Sequence, residues 1–182
     1  MPYRGIFIIF LGLGLLWGCA HVISKEIRSA VDEEITFGEL RRDPTAYRGK
    51  TVLFGGVIVR SLIEKEGTLL ELYQTRVNRE GKPIDLDRSE GRFLAFYEGF
   101  LDNEIYRNGR KVTVAGVVEG EEIMKLGEIN YRYPYIIVKE LYLWEEEKPY
   151  VVEPYPWGPW YPWGPWYDPY WHWRPHYRYR HR

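Results

Sequence analysis

Apolar residues follow three different patterns along this chain of 182 residues. From Ile6 to Leu16 they run almost without interruption. A bilayer crossing takes about 20 apolar residues, so this stretch is too short to span and has the size of a signal-peptide core. The pattern then becomes helical. Ile23, Ile27, Ala30 and Val31 recur at helical spacing behind Ser24, which can cap a first turn. A short amphipathic helix and a flexible arm both fit residues 24–34. Thr36 and Glu39 have the spacing of a capping box, Asp43-Pro44 offers a cap and a first-turn proline, and Gly49 closes the turn. Two short helical turns over 36–48 are expected.

From Thr51 onward the pattern is that of strands. Residues 51–59 are β-branched and apolar on both faces, which predicts a buried strand, and Gly55-Gly56 inside it suggests a bulge or bend at a barrel corner. After a turn at Glu66-Gly67, residues 68–73 make a second strand. Residues 75–91 are polar and read as a long loop. Residues 92–97 form a third strand, and Asp102 can cap one helical turn ending near Asn108-Gly109. Residues 111–119, with Gly116 inside, form a fourth strand and residues 135–144 a fifth. Mainly β architecture follows: a small five-stranded OB-like barrel with short N-terminal helical segments. An open five-stranded β-roll fits the same periodicity.

The lone cysteine changes the picture of where the protein lives. Arg4 gives the apolar run a positive start, and Leu16-Trp17-Gly18-Cys19 ends it in the pattern of a bacterial lipoprotein signal. Cleavage after Gly18 would leave Cys19 as the lipid-modified first residue, although Trp17 stands where a smaller residue is usual. An ordinary cleaved signal peptide with an unmodified thiol is the alternative. A single cysteine cannot form an internal disulfide, so lipidation also removes a reactive thiol from an oxidising compartment. Stable anchoring needs more than one acyl chain, which the lipoprotein modification supplies. Ala20 after the cysteine favours outer-membrane sorting by analogy. The chain then divides into a signal peptide (1–18), an anchor and tether (19–35), a barrel (36–148) and a tail (149–182).

Charge is uneven across these parts. The net charge is −1, but the tail carries four arginines against Glu153 and Asp168. Residues 19–148 are therefore acidic, which argues against nucleic acid as a partner. Six of the eight tryptophans also lie in the tail. There Pro156-Trp157-Gly158-Pro159-Trp160-Tyr161 repeats as Pro162-Trp163-Gly164-Pro165-Trp166-Tyr167. Proline at every third position blocks helix and sheet ladders, so an extended or disordered tail is expected. Trp171, Trp173, Arg174, Arg178 and Arg180 follow. Aromatic rings favour the membrane interface and arginine pairs with phosphate. Trp157, Trp160, Trp163, Trp166, Trp171, Trp173, Arg174, Arg178 and Arg180 are thus candidate contacts to membrane, lipopolysaccharide or peptidoglycan. A low-complexity end without a ligand is the competing reading.

Several motifs together resemble a known family. They are Gly49-Lys50-Thr51-Val52 leading to Gly55-Gly56-Val57-Ile58, then Gly91-Arg92-Phe93-Leu94, Gly99-Phe100-Leu101-Asp102, and Gly109-Arg110-Lys111-Val112 with Gly116. Gly127-Glu128, Tyr131-Arg132-Tyr133-Pro134 and Leu143-Trp144 complete them. Over residues 34–145 the chain resembles the Slp family of outer-membrane lipoproteins. The resemblance implies an envelope location, an association with starvation or stress, and no catalytic residues.

Candidate chemistry is sparse. Asp85, Asp87 and Ser89 alternate like the start of a calcium loop, but the glycine required at position 6 is Glu90 and no glutamate follows at position 12. His172 and His176 are four apart, yet Pro175 between them prevents the helix that would align them. No serine stands in a nucleophile elbow and no phosphate-binding glycine loop is present. Glu119–Glu122 reads as exposed turn. No catalytic residue, metal site or cofactor is expected. The expected role is a non-catalytic structural, envelope-interaction or stress-related one. The alternative is an OB-like binding module for an oligosaccharide or peptide, which aromatic residues on strands two and three (Tyr73, Phe96 or Tyr97) would favour. Clustered buried carboxylates would favour an enzyme.

Overall fold

The structure, a computed structural model, describes residues 21–147. Helix α1 (Lys25–Ala30) starts at Ser24, whose hydroxyl accepts from the Ile27 N–H, so the helical reading of this segment holds. Helix α2 (Phe37–Arg42) has the full capping box. The Thr36 hydroxyl accepts from the Glu39 N–H while the Glu39 carboxylate accepts from the Thr36 N–H. A 3₁₀ turn (Pro44–Tyr47) follows, capped by Asp43.

Six strands come next: β1 (Thr51–Ile63), β2 (Thr68–Val77), β3 (Pro83–Ile84), β4 (Arg92–Tyr97), β5 (Lys111–Leu126) and β6 (Ile129–Leu143). β1 pairs antiparallel with both β2 and β5, β5 with β6, and β2 with β4. β4 and β6 then pair in parallel through Leu94–Tyr135 and Phe96–Ile137. That last pairing closes β1, β2, β4, β6 and β5 into a five-stranded barrel of the OB type and excludes the open roll. β1 can serve both neighbours because it is long, pairing with β5 over its first half and with β2 over its second.

Strand alternation sorts the side chains. Val52, Phe54, Ile58, Leu70, Leu72, Phe93, Val112, Val114 and Ile136 fill the interior. Helix α2 adds Phe37 and Leu40, and Phe37 sits edge-on to Phe54 with ring centroids 5.3 Å apart. Burying each large apolar side chain contributes about 1.5–3 kcal/mol, so this interior is the main stabilising element.

Four expectations change in detail. The polar stretch 75–91 is not one loop, since β2 continues to Val77 and folds back on β3 around Asn78, whose side chain accepts from the Glu80 and Lys82 N–H groups. Glu119–Glu122 is strand rather than turn: β5 and β6 extend as one hairpin to Leu126–Ile129, and Glu121 pairs with Arg132 at 3.3 Å. The register shift of β1 falls between Ile58 and Arg60, beyond Gly55-Gly56. Asp102 organises a hydrogen-bonded turn rather than a helix, its carbonyl accepting from the Ile105 and Tyr106 N–H groups.

Candidate functional site

The outer face of β2, β4 and β6 carries the least ordinary chemistry of the barrel. Alternation turns Leu69, Glu71 and Tyr73 outward from β2, Arg92, Leu94 and Phe96 from β4, and Tyr131, Tyr133 and Tyr135 from β6. Leu69, Leu94 and Tyr133 form a second buried cluster, covered by Phe96, Met124, Tyr131 and Tyr135. The β5–β6 hairpin supplies three of these covering residues. Its extension beyond the barrel wall therefore packs on the barrel's own outer face.

Glu71 lies at the centre of this face with its side chain only 6% exposed. Arg60 on β1 meets one carboxylate oxygen at 2.7 Å, and Arg92 on β4 meets the other at 2.7 Å. The buried Tyr133 hydroxyl donates to Glu71 at 2.9 Å. Four strands are thereby tied to one carboxylate. Burial alone would push its pKa up, but the hydrogen bonds from Arg92 and Tyr133 and the charges of Arg60 and Arg92 outweigh burial and hold it low. Burial, then the hydrogen bond to Glu71, raises the Tyr133 phenol. A carboxylate kept ionised and fully engaged is a weak proton acceptor, so this cluster works as a clasp and not as an acid–base pair.

Beside the clasp an open cleft of about 390 Å³ is lined by Arg41, Tyr73, Glu90, Arg92, Leu126 and Tyr131, among others. The Tyr131 hydroxyl accepts from the Arg92 N–H at 3.0 Å, and burial, then the charge of Asp87, raises the Tyr73 phenol. Of the three aromatics singled out on strands two and three, Tyr73 lines this cleft and Phe96 stacks on Tyr135 with centroids 6.4 Å apart. Tyr97 instead packs against the interior cluster. Gly18, Cys19, Trp157, Trp160, Trp163, Trp166, Trp171, Trp173, Arg174, Arg178 and Arg180 all lie outside the described residues, as do His172 and His176. Among the described residues no group of three or more His, Cys, Asp or Glu side chains could hold a metal ion.

The Glu71 clasp escaped sequence reading. Its one signal is a charged residue in the middle of the apolar strand Thr68-Leu69-Leu70-Glu71-Leu72-Tyr73, where a lone carboxylate on a covered face requires partners. Those partners lie on three other strands and could not be chosen before the pairing was known.

A family model described as outer membrane lipoprotein Slp family matches residues 16–177. Among individual relatives, the outer membrane protein Slp of Escherichia coli is 28% identical over 138 residues, covering 75% of this chain and 73% of that protein. An uncharacterized protein of Haemophilus influenzae is 31% identical over 96 residues, covering 52% of each. The lipoprotein YeaY of Escherichia coli, described as uncharacterized, is 27% identical over 146 residues, covering 80% of this chain and 75% of that one. With the family model matched from the end of the apolar leader, through the whole barrel and into the aromatic tail, the chain belongs to the outer membrane lipoprotein Slp family.

Proposed function

We propose that this outer-membrane lipoprotein is a non-catalytic envelope tether, held by lipid on Cys19 and by a second attachment through residues 149–182. In this reading the signal peptide ends at Gly18 and the mature chain starts at Cys19. The tail supplies Trp157, Trp160, Trp163, Trp166, Trp171 and Trp173 as interface rings, and Arg174, Arg178 and Arg180 as partners for phosphate or cell-wall anions.

One observation carries the reading: the described chain enters and leaves the barrel on the same side. The His21 ring lies against Gly81, where a Cβ would stand 3.0 Å from it. The Gly81 carbonyl accepts from the Thr113 hydroxyl at 2.6 Å, and that hydroxyl accepts from the Trp144 indole N–H at 2.9 Å. The Ser24 N–H also donates to the Glu140 carboxylate at 3.0 Å. Attachments that continue from these neighbouring ends of the described chain can hold one domain against one surface, and linked weak contacts gain from effective concentration. The Glu71 clasp supports the non-catalytic half of the proposal, because the most deeply engaged carboxylate of the barrel is occupied in joining strands.

Co-sedimentation tests the tether. Protein with Cys19→Ser, with and without residues 149–182, is mixed with outer-membrane vesicles and with purified peptidoglycan. Tail-dependent binding to either is expected, and the one that binds identifies the second attachment. Equal, negligible binding by both forms removes the tail from the function.

A second reading, a binding module for an oligosaccharide or peptide, is favoured by the cleft beside Tyr73. Aromatic rings next to Arg41 and Arg92 suit sugar stacking with hydrogen bonds to hydroxyls. Saturation-transfer NMR with cell-wall oligosaccharides tests it, and a signal that survives Tyr73→Ala unchanged places binding elsewhere.

A further inference from the structure

A larger open cleft, of about 620 Å³, lies between α1 and the β2–β3 turn. Lys25 and Arg28, three apart on α1, share one side of that helix, and Arg79 comes from the β2–β3 turn opposite. The turn is held there by the Val22 N–H donating to the Glu80 carbonyl and by the packing of His21 on Gly81. The ion pairs of the described residues engage other groups, leaving these three cations without a carboxylate partner. Asp32 on the wall is already paired with Lys50 at 3.1 Å, so Glu33 is the one unengaged anion of the lining. Val31, Ile35 and Leu53 give the cleft an apolar side.

The position of this cleft along the chain is as telling as its charge. Only Ala20 separates Cys19 from His21, a span of at most about 7 Å. If Cys19 carries the acyl chains, His21 is held at headgroup depth and the cleft beside it meets the lipid surface.

We infer that the cleft binds the phosphate of a lipid headgroup in the membrane that holds the anchor, an inference that rests on Cys19 being the lipidated residue. Arg28 and Arg79 present planar forks suited to phosphate oxygens and Lys25 adds a mobile point charge, while Val31, Ile35 and Leu53 face the glycerol and upper acyl carbons. A third contact of this kind fixes how the barrel is rotated on the membrane, which a flexible lipid tether alone cannot do.

The test uses full-length protein in two forms. Lipidated protein is placed in phosphatidylglycerol nanodiscs and in a phosphate-free maltoside detergent, and amide hydrogen exchange is compared. Protection of residues 25–31 and 78–82 in the nanodiscs is expected, and its loss in the Lys25→Gln/Arg28→Gln/Arg79→Gln variant. In parallel, Cys19→Ser protein is floated with phosphatidylglycerol or phosphatidylcholine vesicles. Its preference for the anionic vesicles should fall roughly fivefold for each cation replaced. The charge-keeping Lys25→Arg/Arg79→Lys variant should retain that preference, which separates charge from folding. Lipid found on Cys19 with neither readout responding to the triple substitution overturns the cleft and spares the anchor. An unlipidated Cys19 with cation-dependent flotation overturns the anchor and spares the cleft. Displacement by inorganic phosphate with no vesicle preference overturns the lipid assignment in favour of free phosphate.

Discussion

Glu71 shows how one polar residue can organise a wall of apolar strands. Its two oxygens are claimed by Arg60 and Arg92 and its remaining capacity by the Tyr133 hydroxyl. Removing the charge with Glu71→Gln leaves two arginines facing a neutral amide. Breaking a buried pair costs roughly 3–5 kcal/mol, but Arg60 is 44% exposed, so screening lowers the expected loss to about 2–3 kcal/mol. The midpoint of urea unfolding measures it, and a change under about 0.5 kcal/mol would show that the clasp contributes little. The pH dependence has a definite sign. Because the folded-state pKa of Glu71 is depressed, its stabilisation is complete above the ordinary carboxyl range and is lost as pH falls through the folded value. Wild-type protein should therefore lose stability in acid more steeply than Glu71→Gln. Parallel acid curves would contradict the assignment.

At the scale of elements, local chemistry was readable and pairing was not. The Thr36–Glu39 capping box and the Ser24 cap formed as their spacing implied, because both depend on residues within one turn. Thr36→Ala should cost about 1 kcal/mol of stability by denaturant unfolding. The lengths of β5 and β6 were hidden because the acidic run Glu119–Glu122 suggests exposed turn. Glu121 pairs with Arg132 across the extended hairpin, and only the pairing shows that acidic residues can stand on a strand here. Gly116 illustrates the same dependence. Its spacing hinted at a corner, but its need arises from β6, since an added Cβ would overlap the Ile137 carbonyl. Gly116→Ala should destabilise by about 1–3 kcal/mol, as overpacking does. Gly127 at the hairpin tip has φ 61° and open space around it, so Gly127→Asn should be close to neutral. Equal effects at both glycines would contradict the packing account.

The whole molecule combines a closed, filled barrel with an anchor signal and an aromatic, basic tail. Its address and fold class were legible because the lipoprotein pattern, the strand count and the family motifs are all encoded locally. The outer-face site was not, since Glu71, Arg60, Arg92 and Tyr133 come from four strands and converge only after closure. The proposed attachments both lead away from the side where His21 and Trp144 are linked through Gly81 and Thr113. The tether proposed for that side depends on lipid at the start of the mature chain. The most direct measurement is the intact mass and N-terminal peptide of the protein extracted from outer membranes. The expected result is a chain beginning at Cys19, with a diacylglyceryl thioether and an N-linked acyl chain. A mature chain starting elsewhere, or an unmodified Cys19 thiol, would contradict the anchor and the tether built on it.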